Sequence, residues 1–171
     1  MTDEELMLSV KNGDLDKAAI LYERYKNNIY LYMRYRNKNS QERSEDSVQQ
    51  VFYRLLRYRD SYREGKTFKP WLYGIARNVS HINYKDEAIQ EGLRTDYVQD
   101  EGYVSFNDEH QAVRCALTLL PEAYREVLMM SKFLDMKYED IAEVNNCSVG
   151  VIKTRVFRAL KALKEVYFKI S

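Results

Sequence analysis

The sequence predicts an all-α protein: two small helical domains, residues 1–90 and 109–171, joined by an acidic linker over 91–108, with a helix-turn-helix in the second. Three observations predict it. Helical periodicity recurs along the 171 residues, and no convincing strand alternation interrupts it. Glycine and proline number only 6 and 2, too few for a fold built on many tight turns. Charge is divided by position. From Arg24 to Lys85 fourteen basic residues face five acids, from Asp86 to Glu109 Arg94 alone faces eight, and from Cys147 to Ser171 six face one. The net charge of +1 therefore hides two basic blocks on either side of an acidic connector, a pattern that suits two polyanion-binding modules.

Each element follows from local pattern. "DEELMLSVKN" is a first helix with acids in its opening turn, stopped near Gly13. Asp14 or Asp16 starts the second, whose apolar stripe includes Leu15, Ala18, Leu21, Tyr22, Tyr25, Ile29, Tyr32 and Met33. "NKNSQERS" reads as a polar loop, with Ser44 as a simple cap for a third helix that carries Val48, Val51, Phe52, Leu55 and Leu56. "YRDSYREGKT", with Gly65 in its middle, breaks that helix. "FKPWLYGIARNVSHINYK" resumes one, with Pro70 in the first turn, where its missing N–H costs nothing. After the linker come "EHQAVRCALTLL", then "PEAYREVLMMSKFLD" with Pro121 in its first turn, the short "KYEDIAEVN", and a long helix from Ser148.

On a helical wheel the last helix gathers Ile152, Val156, Ala159, Leu160, Leu163, Val166 and Ile170 on one arc, the buried stripe. Gly150, Thr154, Arg158 and Lys161 point roughly the other way. Lys153 and Arg155 flank the stripe, and Phe157 sits off its centre. Ser148 suits the N-cap, and Asn146 can take positive φ more cheaply than most residues. A short helix, a tight turn and a basic second helix make a helix-turn-helix that enters the major groove by its N-terminal part. Taken alone, the same basic face also fits a solvated amphipathic helix.

Other chemistry is thinly represented. Cys115 and Cys147 have neither disulfide-framework nor zinc spacing and read as buried free thiols. His81 and His110 are isolated, and there is no Ser/His/Asp set, phosphate loop or metal cluster, so catalytic and cofactor roles are not expected. "MTDEELMLSV" is acidic and lacks the apolar core of a secretory signal, and no stretch reaches the ~18 apolar residues of a membrane span. The expectation is a cytoplasmic protein without membrane insertion.

"SEDSVQQVFYRLLRYRDSYREGKTFKPWLYGIARN" closely resembles the second conserved region of extracytoplasmic-function sigma factors, the small sigma subunits of bacterial RNA polymerase. Asp46, Val48, Gln49, Phe52, Tyr62, Gly65, Phe68, Trp71, Leu72, Ile75, Ala76 and Asn78 supply that pattern in order. "LTLLPEAYREVLMM" and "YEDIAEVNNCSVGVIKTRVFRALKAL" resemble the family's fourth region, and "KNGDLDKAAILYERY" its opening helices. Gly74 stands where a basic residue is usual, Ser47 where an aliphatic is, and Val151 where a threonine is.

The resemblance implies a promoter-specificity subunit. The last helix, through Ser148, Gly150, Lys153, Thr154, Arg155, Phe157, Arg158 and Lys161, would read the upstream (minus-thirty-five) element. The loop and following helix, through Arg59, Tyr62, Arg63, Lys66, Phe68, Lys69, Trp71, Tyr73, Arg77 and Asn78, would capture bases of the downstream (minus-ten) element. Aromatic faces beside basic residues suit single-stranded DNA, where stacking is worth ~1–3 kcal/mol per base. Phe68 and Trp71 fit the core equally well, whereas Tyr62 is expected to be exposed. Asp46, Gln49, Gln50, Phe52 and Tyr53 would bind core RNA polymerase, and an anti-sigma factor is an implied partner. The acidic linker would thread the polymerase channel, or serve only as a solvated tether. The competing reading is a stand-alone helix-turn-helix regulator of response-regulator type, which would normally carry an α/β receiver.

Overall fold

A computed structural model describes residues 1–37, 40–91 and 108–170. The chain divides into two compact units, Met1–Gly102 and Tyr103–Ser171. The predicted linker falls almost entirely on residues outside the described ones. Every regular element among the described residues is helical.

The first unit holds α1 (Asp3–Lys11), α2 (Lys17–Arg36), α3 (Gln41–Arg57) and α4 (Phe68–Glu91). A capping box starts α1: the Thr2 hydroxyl accepts from the Glu5 N–H at 3.1 Å, and the Glu5 carboxylate accepts from the Thr2 N–H at 2.7 Å. Gly13, at φ +105°, makes the turn after it. Leu6, Met7 and Val10 of α1, Leu21, Ile29 and Met33 of α2, Val51 and Leu55 of α3, and Leu72 and Ala76 of α4 are wholly buried and form one core.

The start of α3 differs from the expectation. The "QERS" half of the polar loop is helical, and the cap is Ser40, whose hydroxyl accepts from the Arg43 N–H at 3.4 Å. Ser44 lies one turn inside, buried, with its hydroxyl donating to the Ser40 carbonyl at 2.6 Å. Ser47 is also buried and accepts from the Asn37 amide at 3.2 Å, tying α3 to the end of α2. A hydroxyl at position 47 thus makes a polar tie that an aliphatic side chain cannot.

The second unit holds α5 (Asp108–Thr118), α6 (Glu122–Leu128), α7 (Tyr138–Val144) and α8 (Val149–Ile170). Its core joins Ala116, Leu117, Val127, Leu128, Met130, Ile141, Ile152, Val156 and Ala159. Pro121 is the N-cap of α6, one position earlier than expected. The helix predicted through Asp135 loosens into a π-helical turn at Met129–Phe133. There the Leu134 N–H reaches the Met129 carbonyl, five residues back, while the Ser131 hydroxyl donates to the Val127 carbonyl at 2.7 Å. The thiols are less buried than the sequence suggested: Cys115 is exposed on α5 and Cys147 is half-buried in a turn.

Among the described residues, two non-glycine residues hold positive φ, Asp135 at +49° and Asn146 at +52°. Side chains with a β-branch disfavour that region by about 1–2 kcal/mol. Asn146→Val is therefore expected to lower unfolding stability by about that amount and Asn146→Gly to leave it nearly unchanged, both measurable by urea denaturation.

Candidate nucleic-acid interface

Two surfaces carry the predicted residues, one in each unit, and each is built by its own local structure.

In the second unit α7 and α8 meet at a tight turn. The Cys147 N–H donates to the Ala142 carbonyl at 3.0 Å, the Asn145 amide caps the Ile141 carbonyl at 2.9 Å, and Asn146 supplies the positive φ. Ser148 then accepts from the Val151 N–H at 3.3 Å and so starts α8 as its N-cap. Ile152, Val156 and Ala159 hold α8 against Ile141 and Ala142 of the unit's core. The opposite face is open: Gly150, Lys153, Thr154, Phe157, Arg158 and Lys161 are exposed, as is Ser148, while Arg155 is half-buried. Phe157 stands 71% exposed beside the cations. Val151 is exposed at the entrance of the same face, and Leu160, expected in the stripe, is 40% exposed.

In the first unit the segment between α3 and α4 opens with a 3₁₀ turn, Arg59–Ser61, and runs through Tyr62 and Gly65 (φ +84°) to Phe68. Its exposed tip carries Arg63 and Lys66, with Lys69 half-buried at the start of α4. Arg59 is half-buried and donates to the Leu56 carbonyl at 2.8 Å. The aromatic residues do not lie where the sequence placed them. Tyr62 is only 1% exposed, and Phe68 and Tyr73 are fully buried. Tyr62 contacts Trp71 edge-on at 5.2 Å, and Phe68 packs on Tyr25 at 5.4 Å. The Tyr62 hydroxyl donates to the Lys66 carbonyl, closing the loop on itself. Burial wins because two large rings gain about 1.5–3 kcal/mol each by leaving water. Tyr62, Phe68 and Tyr73 are therefore supports under the loop, and only Trp71, half-buried, keeps an accessible edge.

Sequence reasoning missed two members of this surface. Tyr58 ends α3 with 47% of its surface exposed and the Arg57 guanidinium 5.7 Å from its ring centroid. A tyrosine between Arg57 and Arg59 was a visible signal. Arg36, at the end of α2, reaches α4, donating from Nε to the Ser80 hydroxyl at 3.0 Å and approaching His81 Nε2 at 3.5 Å. It lies 44 and 45 residues from these partners in sequence, so no local pattern reports it. Arg77 is half-buried and Asn78 exposed on α4. Gly74, also on α4, has open space around it: a Cβ there would meet nothing within 4 Å.

On α3, Asp46, Gln49, Gln50 and Tyr53 are exposed at helical spacing and share one face. Phe52, grouped with them from sequence, turns inward against Tyr22, with ring centroids 4.9 Å apart. Among the described residues no group of three or more His, Cys, Asp or Glu is placed to hold a metal ion, and no helix is long and apolar enough to cross a membrane.

Residues 21–92 match the sigma-70 region 2 family and residues 110–163 the sigma-70 region 4 family. A helical unit with a basic loop, followed by a helix-turn-helix unit, is thus a two-region protein of the sigma-70 class. The relatives narrow this. The ECF RNA polymerase sigma factor SigW of Bacillus subtilis (strain 168) is 30% identical over a 172-residue alignment that covers 91% of each chain. The ECF RNA polymerase sigma-E factor of Escherichia coli (strain K12) is 29% identical over 184 aligned positions, covering 95% of this chain and 93% of that one. The chain belongs to the extracytoplasmic-function family of RNA polymerase sigma factors. The response-regulator reading falls with that membership. In fold, the chain is similar to CnrH in its complex with the cytosolic domain of CnrY (TM-score 0.79, 20% identity, 99% of each chain). It is also similar to the sigma factor RpoE of Bartonella quintana in complex with the anti-sigma factor NepR (TM-score 0.61, 25% identity, 85% of this chain and 95% of that one).

Two predictions test the inward placement of Tyr62. Tyr62→Ala is expected to destabilise the chain by about 3–5 kcal/mol in urea denaturation, against a few tenths for an exposed tyrosine. The second concerns pH. Burial raises the Tyr62 phenol from 10.0 to about 12, and it raises Tyr73 as well. Tyr25 rises through burial and then through its hydrogen bond to Asp3. These phenols hold their protons more tightly in the folded chain, so their contribution is complete below the unfolded value of 10.0; that of Tyr62 is lost as pH rises toward about 12, and those of Tyr73 and Tyr25 at still more alkaline pH. Unfolding free energy measured across the alkaline range should fall steeply in that window, and Tyr62→Phe should flatten the fall.

Proposed function

We propose that the chain directs promoter-specific initiation, with α8 reading the minus-thirty-five duplex and the α3–α4 loop receiving the opened minus-ten strand. The observation that carries this is the pairing, in one family member, of an exposed basic face at the start of α8 with a basic, internally fastened loop in the other unit. Lys153, Thr154, Arg158 and Lys161, with Phe157, form the groove-facing set, and Ser148 and Gly150 bring the backbone of the helix start close to phosphate. Arg155 supports from the flank. In the first unit Arg63, Lys66 and Lys69 attract the displaced strand. Trp71 and Tyr58 offer it ring surface, while Tyr62, Phe68 and Tyr73 hold the loop beneath. Arg59 braces the loop's entry, and Arg77 and Asn78 face the adjoining duplex. Opening a promoter in this way needs no nucleophile and no cofactor from this chain.

Asp46, Gln49, Gln50 and Tyr53 on α3 form the face for core RNA polymerase, with Phe52 fixing its pitch from below. The division of labour follows residues 1–90 for polymerase binding and melting, 91–108 as tether, and 109–171 for upstream recognition. The site of action is the cytoplasm, where polymerase and promoter are. An anti-sigma factor is the expected regulator; both similar solved structures hold a second protein, named in one as an anti-sigma factor.

Run-off transcription with purified core polymerase tests the whole reading: a promoter-dependent transcript and a stable core complex are expected, and the absence of both would sink it. Lys153→Ala and Arg158→Ala should each weaken upstream binding. A loss of about 1–3 kcal/mol confined to one base position marks a base contact, and a salt dependence reduced by about one unit marks a phosphate contact.

A further inference from the structure

No residue of the first helix is assigned to DNA or polymerase, yet it fastens both sides of the exposed tip of the α3–α4 loop. At one end the Lys11 ammonium donates to the Tyr62 carbonyl at 2.6 Å. At the other the Glu4 carboxylate accepts from the Phe68 N–H at 3.0 Å. Glu4 and Lys11 are seven positions apart, about two turns, and so stand on one face of α1. Their partners are six positions apart and bracket the exposed tip, 63–67.

Each bond has a physical reason. Phe68 is the first residue of α4, so its N–H has no acceptor within the helix, and a carboxylate there also meets the positive end of the helix dipole. The Tyr62 carbonyl lies where the 3₁₀ turn has ended, and an ammonium is a strong donor to it. Helix α1 is itself immobilised. Asp3 pairs with Arg24 at 2.7 Å and accepts from Tyr25, while Leu6, Met7 and Val10 enter the core. Within the bracket the Lys66 N–H donates to the Arg63 carbonyl at 3.2 Å and the Tyr62 hydroxyl to the Lys66 carbonyl.

We infer that Glu4 and Lys11 are positioning residues for promoter opening: α1 holds the loop in the one shape that receives an unpaired base. This rests on the reading of the loop given above, and adds α1, none of whose residues that reading names. The loop then meets the displaced strand without first having to order itself, which is where binding free energy would otherwise be lost.

The test uses the full chain assembled with core polymerase on a promoter. Thymine reactivity to permanganate reports opening; core affinity and binding to the upstream duplex are measured beside it. Glu4→Ala and Lys11→Met should each reduce opening about tenfold, the scale of one charge-assisted hydrogen bond, with core and upstream affinities unchanged. Glu4→Gln, whose amide oxygen can still accept, and Lys11→Arg, which can still donate, should recover most of the loss. In the free chain, amide exchange across 62–68 should accelerate in Glu4→Ala and Lys11→Met while α2 and α3 keep their protection. Wild-type opening or unchanged loop exchange in both variants overturns the inference. So does global unfolding of both, which would make α1 an ordinary part of the core. Arg63→Ala combined with Lys66→Ala separates the two claims: if that change leaves opening intact, the reading of the loop itself fails.

Discussion

The loop surface of the first unit depends on the burial of Tyr62 and Phe68. Ordering the five residues 63–67 costs about 5–10 kcal/mol in backbone entropy. Burying the two rings returns about 3–6 kcal/mol. Their edge contacts with Tyr25 and Trp71 add about 0.5–1.5 kcal/mol each. The apolar terms therefore bring the loop only to near balance, and polar fastenings decide whether it holds one shape. An exposed pair of rings would have left a mobile, sticky segment. Buried, they convert the tip into a fixed display of Arg63 and Lys66.

The second unit solves a different problem with different means. A row of exposed side chains at fixed rise and angle is supplied by a helix without further support. The chain spends its special chemistry at the joint instead: Asn146 in a left-handed conformation and Ser148 as cap set the angle at which α8 leaves α7. Once that angle is fixed, Ile152, Val156 and Ala159 lock the rotation of α8 about its own axis. The exposed face is then determined by periodicity alone.

This difference explains what was legible in the sequence. Most helix positions, the Ile152, Val156 and Ala159 stripe of α8, its open face, the Ser148 cap and the positive φ of Asn146 were readable, because each is a local consequence of a period of 3.6 or of a turn. The interior of the loop was not. Tyr62 sits among Arg59, Arg63 and Lys66, and that polar setting argued for exposure; its burial is decided by Trp71 and Phe68 folding back over it. Phe52 illustrates the same limit on α3, where one step around the helix separates Gln49 and Tyr53 in water from a ring packed on Tyr22. Ser40 and Ser44 were exchanged as cap because both are serines within one turn, and only Ser47 meeting Asn37 shows which face is inward. Glu4, Lys11 and Arg36 act across dozens of residues, and no window of sequence contains both partners.

Gly74 gives the surface of α4 an unused degree of freedom. A glycine inside a helix costs about 1 kcal/mol relative to alanine, and here no neighbouring atom requires it. A Cβ can therefore be added at this position without displacing any neighbour. In a lineage of sigma factors, that makes position 74 a place where the surface of α4 can change while the fold stays constant. Change of surface character and maintenance of stability are uncoupled there.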